Sequence, residues 1–117
     1  MGTTTIQYDD SGLTVTIAEG DGSSRTVQLR WNAIERVNAF KRDIFAYDLI
    51  CLAIFFEDQT IELDEQMEGW EPAVKALAEH LPGMPSYLNW WKQVAHPAFE
   101  TSFTVLFSRQ HKSSAAN

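Results

Sequence analysis

The chain has 117 residues, of which 44% are hydrophobic, 12% aromatic and 21% charged, and its formal net charge at pH 7 is -7. This is the size and composition of one globular domain, with enough chain for a core but little room for two lobes around a cleft. The negative charge counts against duplex DNA, RNA or an anionic membrane as the main partner, because all three are polyanions.

Compartment and targeting follow from short sequence features. The longest apolar run, Leu49–Phe56, is too short to span a bilayer. The first ten residues have neither the basic start nor the apolar run of a signal peptide. Cys51 is the sole cysteine, so no disulfide can form within the chain. We therefore expect a cytoplasmic protein that does not bind membranes.

Alternation of apolar and polar residues predicts strands in the first half of the chain. Residues 13–17 and residues 26–31 both alternate, and the Gly-rich segment 19–24 between them is a turn by composition. These two runs predict a β-hairpin. Residues 1–8 are compatible with an additional edge strand.

The middle of the chain predicts a second hairpin. Residues 31–37 carry the three-residue spacing of one helical turn and lead into a strand that ends near residue 43, where Lys41 and Arg42 are expected on a solvated turn. Leu49–Phe56 has no polar face, and its length fits a buried helix as well as a strand. Its Ile and Phe content favours a central strand covered on both sides. A turn at 57–59 and alternation at 60–64 complete the hairpin.

Two helices and a last strand are predicted next. Apolar residues in segment 70–81 recur at i, i+4, i+7 and i+11, and Pro72 lies in the first turn, where no amide donor is missed. The sequence predicts a second, shorter helix for which Ser86 is the candidate cap. A final strand is expected to place the odd-numbered residues from 99 to 107 on one face. Residues 110–117 are small and polar, which is typical of a frayed tail.

These elements predict an α+β domain over residues 1–109, followed by a flexible tail at 110–117. In this prediction a curved antiparallel sheet packs on the amphipathic helix of residues 70–81 and on the short second helix.

Motifs of catalysis and cofactor binding are absent from the sequence. It contains no Gly-rich phosphate loop, no paired cysteines, no His-x-x-x-His and no Gly-x-Ser-x-Gly. His80, His96 and His111 lie 16 and 15 residues apart, which is not a metal-ligand spacing. A pair of carboxylates facing one pocket is the remaining route to catalysis, but no nucleophile or histidine lies beside such a pair. We predict that the chain is not an enzyme and binds no metal or organic cofactor.

An acidic segment, residues 57–71, is the most distinctive feature of the sequence. It contains no Lys or Arg and holds seven carboxylates: Glu57, Asp58, Glu62, Asp64, Glu65, Glu68 and Glu71. It has three interpretations: a solvated surface, a calcium loop, or a docking surface for a basic protein. A calcium loop needs regularly spaced oxygen ligands around a glycine, an order this segment lacks. The candidate partner-binding carboxylates are Glu62, Asp64, Glu65 and Glu68.

A group of aromatic residues on the short helix is the second distinctive feature. Trp90 and Trp91 lie about 100° apart around a helix, so only one of them can face the core directly. Tyr87 and Leu88 extend the same patch. The helix either plugs an open end of the sheet or presents Trp90 and Trp91 as aromatic anchors to a partner.

The chain resembles two kinds of known protein. Its order of short antiparallel strands, with a Trp31-x-x-Ile34-x-x-Val37 turn and a later amphipathic helix, resembles bacterial pleckstrin-homology-like domains. That resemblance implies a strongly bent, split-barrel sheet plugged at one end by a helix, although the strand predicted after the helices departs from the pattern. Residues 31–109 are also similar to a group of small uncharacterised bacterial proteins, through Ala39-Phe40-Lys41-Arg42-Asp43, Asp48-Leu49-Ile50-Cys51-Leu52 and Glu68-Gly69-Trp70.

Together these features predict a non-catalytic protein-interaction module of a bacterial cytoplasmic protein. We expect a protein partner, with a basic protein and a second copy of this chain as the two candidates. The alternative is an immunity or inhibitor protein that covers a basic toxin or nuclease with the acidic segment, because small acidic proteins of this kind resemble immunity proteins in composition.

Overall fold

The computed structural model describes residues 2–44, 47–95 and 103–109. The predicted tail, 110–117, and the predicted strand residues before 103 lie outside the described residues. The elements in chain order are β1 (Thr3–Tyr8), β2 (Gly12–Ala18), β3 (Ser24–Arg30), a 3-10 turn (Trp31–Ala33), β4 (Ile34–Ile44), β5 (Tyr47–Phe56), β6 (Gln59–Asp64), α1 (Trp70–His80), α2 (Tyr87–Ala95) and β7 (Phe103–Ser108). Over the described residues the fold is α+β, as predicted, with two antiparallel sheets and two helices.

The first sheet has three strands in the order β1-β2-β3. β2 and β3 form the predicted hairpin, and β1 is the edge strand beside β2. The hairpin loop turns through Gly22, whose φ of 95° suits a residue without a side chain. One face of this sheet, which includes Leu13, Val15 and Leu29, is buried in the core. The alternating pattern of the sequence is therefore confirmed as a sheet with one buried face.

The second sheet has four strands in the order β6-β5-β4-β7. β5 contains Leu49–Phe56, and every residue of that run except Phe55 is buried. The prediction of a central strand covered on both sides is confirmed. Lys41 was expected on a solvated turn, and that prediction is wrong, because Lys41 lies within β4 and is buried.

β7 corrects the predicted pattern of faces. The register between β4 and β7 shifts between Val37 and Asn38, so that Val37 pairs with Phe107 while Asn38 pairs with Val105. This bulge breaks the alternation. Leu106 and Phe107 are both buried, and Val105 is 45% exposed. Odd-numbered residues of this strand therefore do not share one face.

The two helices pack mainly beside different strands. α1 packs mainly beside β1, whereas α2 packs mainly against β4, β5 and β7, and the two helices also contact each other. The prediction of one curved sheet around the first helix differs from this arrangement, because the described strands form two separate sheets. The 3-10 turn separates β3 from β4 along the chain. The backbone N–H of its first residue, Trp31, donates to the carbonyl of Ser11, which lies between β1 and β2. Neither described helix is long and apolar enough to cross a membrane.

Candidate functional site

A surface groove lies between the end of β1, α1 and the start of α2, and is named here the α1–α2 groove. Its volume is about 730 Å³, within the range of protein ligand sites. The apolar part of its lining consists of Tyr8, Pro72, Ala76, Tyr87 and Leu88. Tyr8 is 51% exposed and Leu88 is 74% exposed. Two large apolar side chains thus face solvent at the same groove.

A second groove of about 380 Å³, named here the acidic subsite, adjoins the first, since Glu71, Pro72 and Tyr87 line both. Glu65 and Trp70 also line the acidic subsite. The indole N–H of Trp70 donates to the Tyr87 hydroxyl oxygen over 3.1 Å. Burial is the main cause of a raised pKa of Tyr87; the Trp70 hydrogen bond opposes it, and the charges of Glu65 and Glu71 add to it. Both carboxylates therefore act on the same hydroxyl.

The segment before α1 sets the position of both grooves. The backbone N–H of Ile6 donates to the Glu68 carbonyl over 2.8 Å, which ties this segment to the edge of β1. Gly69 follows with a φ of 91°, and a Cβ at this position would lie 1.9 Å from the Ile6 carbonyl oxygen. Only glycine allows so close an approach of the two backbones. The contact brings the start of α1 beside the strand that carries Tyr8.

The acidic segment does not form one continuous cluster. Glu57 and Asp58 are exposed at the tip of the β5–β6 turn, whereas Glu68 and Glu71 are exposed near the start of α1. β6 lies between the two groups, carries Glu62 and Asp64, and has six residues, which is a length of about 20 Å. The segment therefore spreads its carboxylates from the turn to the start of α1.

The predicted partner-binding carboxylates have different environments. Glu62 is exposed and its Oε1 lies 3.0 Å from Nη2 of Arg42. Asp64 and Glu65 are half-buried; they accept hydrogen bonds from the backbone N–H groups of Gln66 and Ile50 respectively. Glu68 is exposed. Glu65 and Asp64 therefore stabilise local backbone as well as carrying charge.

The two tryptophans of α2 have different degrees of burial. Trp90 is 1% exposed and packs edge-on against Tyr87 with ring centroids 5.0 Å apart. Trp91 is half-buried against the same core. In this conformation the Trp90 ring is not available to a partner, while Tyr87 and Leu88 reach the surface. Tyr8 was missed in the sequence, because nothing local indicates that the end of β1 meets α2.

Within the described ranges, no group of three His, Cys, Asp or Glu side chains is placed to hold a metal ion. The His80 ring stacks on Trp31, with centroids 4.4 Å apart and planes at 5°. Cys51 is buried, and burial raises the pKa of its thiol to about 11. This thiol is protonated at neutral pH, which makes it a poor nucleophile.

Lys41 joins α2 to the second sheet. Its ammonium donates to the carbonyl of Ala95, at the end of α2, over 3.1 Å. The same nitrogen lies 3.6 Å from a carboxylate oxygen of Asp48. A cation at a helix C-terminus interacts favourably with the helix dipole. We assign Lys41 a structural role.

Comparisons of the chain with protein-family models, with curated proteins and with solved structures found no match. Function is therefore inferred from the residues and geometry of this chain. Two accessible features bear on it: the α1–α2 groove with its acidic subsite, and the acidic tip of the β5–β6 turn at Glu57 and Asp58.

Proposed function

We propose that the chain is a non-catalytic protein-interaction module whose docking site is the α1–α2 groove. One observation carries this proposal: Tyr8 and Leu88, two large apolar side chains, remain exposed on the same groove. Exposed apolar side chains beside a concave surface are typical of binding sites, and tyrosine is enriched at the centres of interfaces.

The wider context of the module is part of the same proposal. We assign it to the bacterial cytoplasm and relate its fold to pleckstrin-homology-like domains. Two antiparallel sheets and a late amphipathic helix support that relation, while β7 after the helices and the separation of the sheets depart from the expected bent barrel. A basic protein is the preferred partner, and a second copy of the chain is the other candidate.

Replacement of Leu88 tests the proposed docking site. Leu88→Ser and Tyr8→Ser remove exposed apolar surface without opening the core, so the variants are expected to fold. Tyr47→Ser is the matched control, because Tyr47 is 43% exposed but is not part of the groove lining. Proteins retained from a bacterial lysate are identified, and the affinity of each purified partner is measured by calorimetry.

We expect Leu88→Ser to lower the affinity for the partner at least tenfold, on the order of 1.4 kcal/mol of binding free energy. Tyr47→Ser should leave this affinity unchanged. Equal affinities of the wild type and Leu88→Ser would contradict the groove as the docking site. Trp90→Ala is unsuitable as a test, because removing a buried indole destabilises the fold itself.

The inhibitor function is supported by a different observation, the exposed acidic tip. Glu57 and Asp58 are exposed on a tight turn, and the salt bridges of the described residues involve neither of them. Carboxylates presented in this way suit the lysines and arginines of a toxin or nuclease cleft, and would accelerate association with it.

Association kinetics separate this function from docking in the groove. For the inhibitor, we expect the association rate with the retained partner to fall steeply with salt and to fall further in a Glu57→Gln, Asp58→Asn, Glu62→Gln variant. A rate that depends on Leu88 but not on these three carboxylates would exclude it. A turnover that is lost when Asp58, Glu62 or Asp64 is neutralised would instead identify an enzyme.

A further inference from the structure

We propose that the α1–α2 groove and the acidic subsite together bind one protein segment, which carries a Lys or Arg side chain beside apolar residues. This inference rests on the proposed function and specifies the chemistry of the partner.

The α1–α2 groove supplies the apolar half of the site. Pro72 and Ala76 lie one helical turn apart on α1, and Tyr8 and Leu88 line the same groove from β1 and α2. The apolar area exposed on Tyr8 and Leu88 is buried favourably by apolar side chains of a partner. This part of the site therefore favours apolar residues of the partner segment.

The acidic subsite supplies the cation-binding half. Glu65 and Glu71 both act on the Tyr87 hydroxyl, so their negative potentials overlap at one place in the groove. Glu65 Oε2 accepts the backbone N–H of Ile50, which leaves its second oxygen for a ligand. The salt bridges of the described residues, Lys41–Asp48 and Arg42–Glu62, give neither glutamate a cation from this chain.

The balance of charge along the two grooves favours a cation. The start of α1 contributes about half a positive unit charge, which the two carboxylates exceed. Glu71, Lys75 and Glu79 follow one another along α1, each about one helical turn from the next, and all three line the α1–α2 groove. The two grooves therefore hold three carboxylates against one ammonium, so an acidic segment or an anionic surface is repelled and a basic one is attracted.

A selection of peptides tests the inference with the full chain. A phage-displayed library of random 12-residue peptides is selected on the immobilised protein, and the enriched peptides are synthesised and titrated by calorimetry. We expect them to combine at least one Lys or Arg with Leu or aromatic residues. Leu88→Ser and Glu71→Gln should each lower the affinity for such a peptide at least about fivefold.

Two controls isolate the cation. Glu19→Gln removes the same charge at an exposed position that lines neither groove and should leave binding unchanged. Replacing the basic residue of the peptide by norleucine should lower its affinity for the wild-type protein about fivefold. The same replacement should change the affinity for the Glu71→Gln variant little, because that variant already lacks the carboxylate. Unfolding curves of each variant show that the fold is retained.

The outcomes separate the two levels of the proposal. Enriched peptides that depend on Leu88 but carry no basic residue, or that bind Glu71→Gln as well as the wild type, overturn this inference and leave the docking groove intact. Failure to enrich any peptide, or binding that Leu88→Ser does not change, overturns the proposed function as well.

Discussion

The two sheets of this protein bury their strands in different ways. In the three-stranded sheet, β3 exposes most of its residues and buries only Leu29 fully. In the four-stranded sheet, β5 buries residues on both of its faces. An alternating strand needs one covering layer, whereas a continuously apolar strand needs two. The difference shows how a chain of 117 residues concentrates its core around one strand.

The outer face of the four-stranded sheet is covered partly by side chains of the sheet itself. Cys51 and Ala53 alternate with Leu52 and so point away from the main core. On β4, beside β5, the guanidinium of Arg42 lies 5.3 Å from the centroid of the Phe40 ring. Arg36 lies over the Phe55 ring in the same way, so long side chains on β4 and small residues on β5 together bury part of this face among the described residues.

The largest effect expected from this comparison is a cavity in β5. Leu52→Ala removes a side chain with no exposure at the centre of the sheet, and should lower the free energy of unfolding by about 3 kcal/mol. Thr26→Ala on exposed β3 should change it by less than about 0.5 kcal/mol. Urea unfolding followed by tryptophan fluorescence measures both. Similar losses in the two strands would show that β5 is not the centre of the core.

The two basic residues of β4 offer the next largest contrast. Lys41→Met takes the buried ammonium from the half-buried Asp48 carboxylate and from the Ala95 carbonyl at the end of α2, and should lower the free energy of unfolding by about 3 kcal/mol. Arg42→Met removes an exposed ion pair with Glu62, which contributes less than about 1 kcal/mol. Equilibrium unfolding of the two variants compares them directly. A larger loss for Arg42→Met would contradict the burial of Lys41.

Ionisation of Cys51 provides a smaller, pH-dependent effect. Burial raises the pKa of its thiol from 9.0 to about 11, so the thiol ionises first in the unfolded chain as the pH rises. The protonated thiol therefore contributes to the free energy of unfolding below pH 9. This contribution is lost between about pH 9 and pH 11, by up to about 2 kcal/mol. Cys51→Ala should lack this part of the loss in urea unfolding over that range. Parallel pH profiles for the two proteins would show that the thiol is not shielded from water.

The smallest expected effect concerns the turns of the two hairpins. Gly22 provides the positive φ in the first sheet, whereas Glu57 and Asp58 adopt φ values of 47° and 61° in the second. A side chain in this region costs about 1 kcal/mol. Asp58→Gly should therefore raise the unfolding temperature, and Gly22→Ala should lower it. Opposite signs in thermal unfolding would contradict the turn geometry.

Several elements of this fold were predictable because their causes are local. The i, i+4, i+7 spacing from Trp70 and the alternation around Val15 each match the period of one kind of backbone. The break of alternation at Val105 was not predictable, because a bulge depends on the partner strand. The burial of Lys41 was not predictable either, since its acceptor, the carbonyl of Ala95, lies 54 residues away.

The candidate site illustrates the same division. The sequence was sufficient to single out Tyr87, Leu88 and the carboxylates of residues 57–71, because composition and charge are properties of the chain. The spread of those carboxylates from the β5–β6 turn to the start of α1 follows from the length and position of β6, which only the structure gives.

Sequence periodicity predicted the α+β class, and the residue content of Leu49–Phe56 predicted the doubly buried strand, because the backbone period and the need to cover apolar side chains act over a few residues. The α1–α2 groove depends on contacts between β1, α1 and α2, which packing brings together from distant parts of the chain. The close approach of Gly69 to Ile6 places Tyr8 beside the start of α1. Such contacts depend on how whole surfaces fit, and no local pattern of residues encodes them.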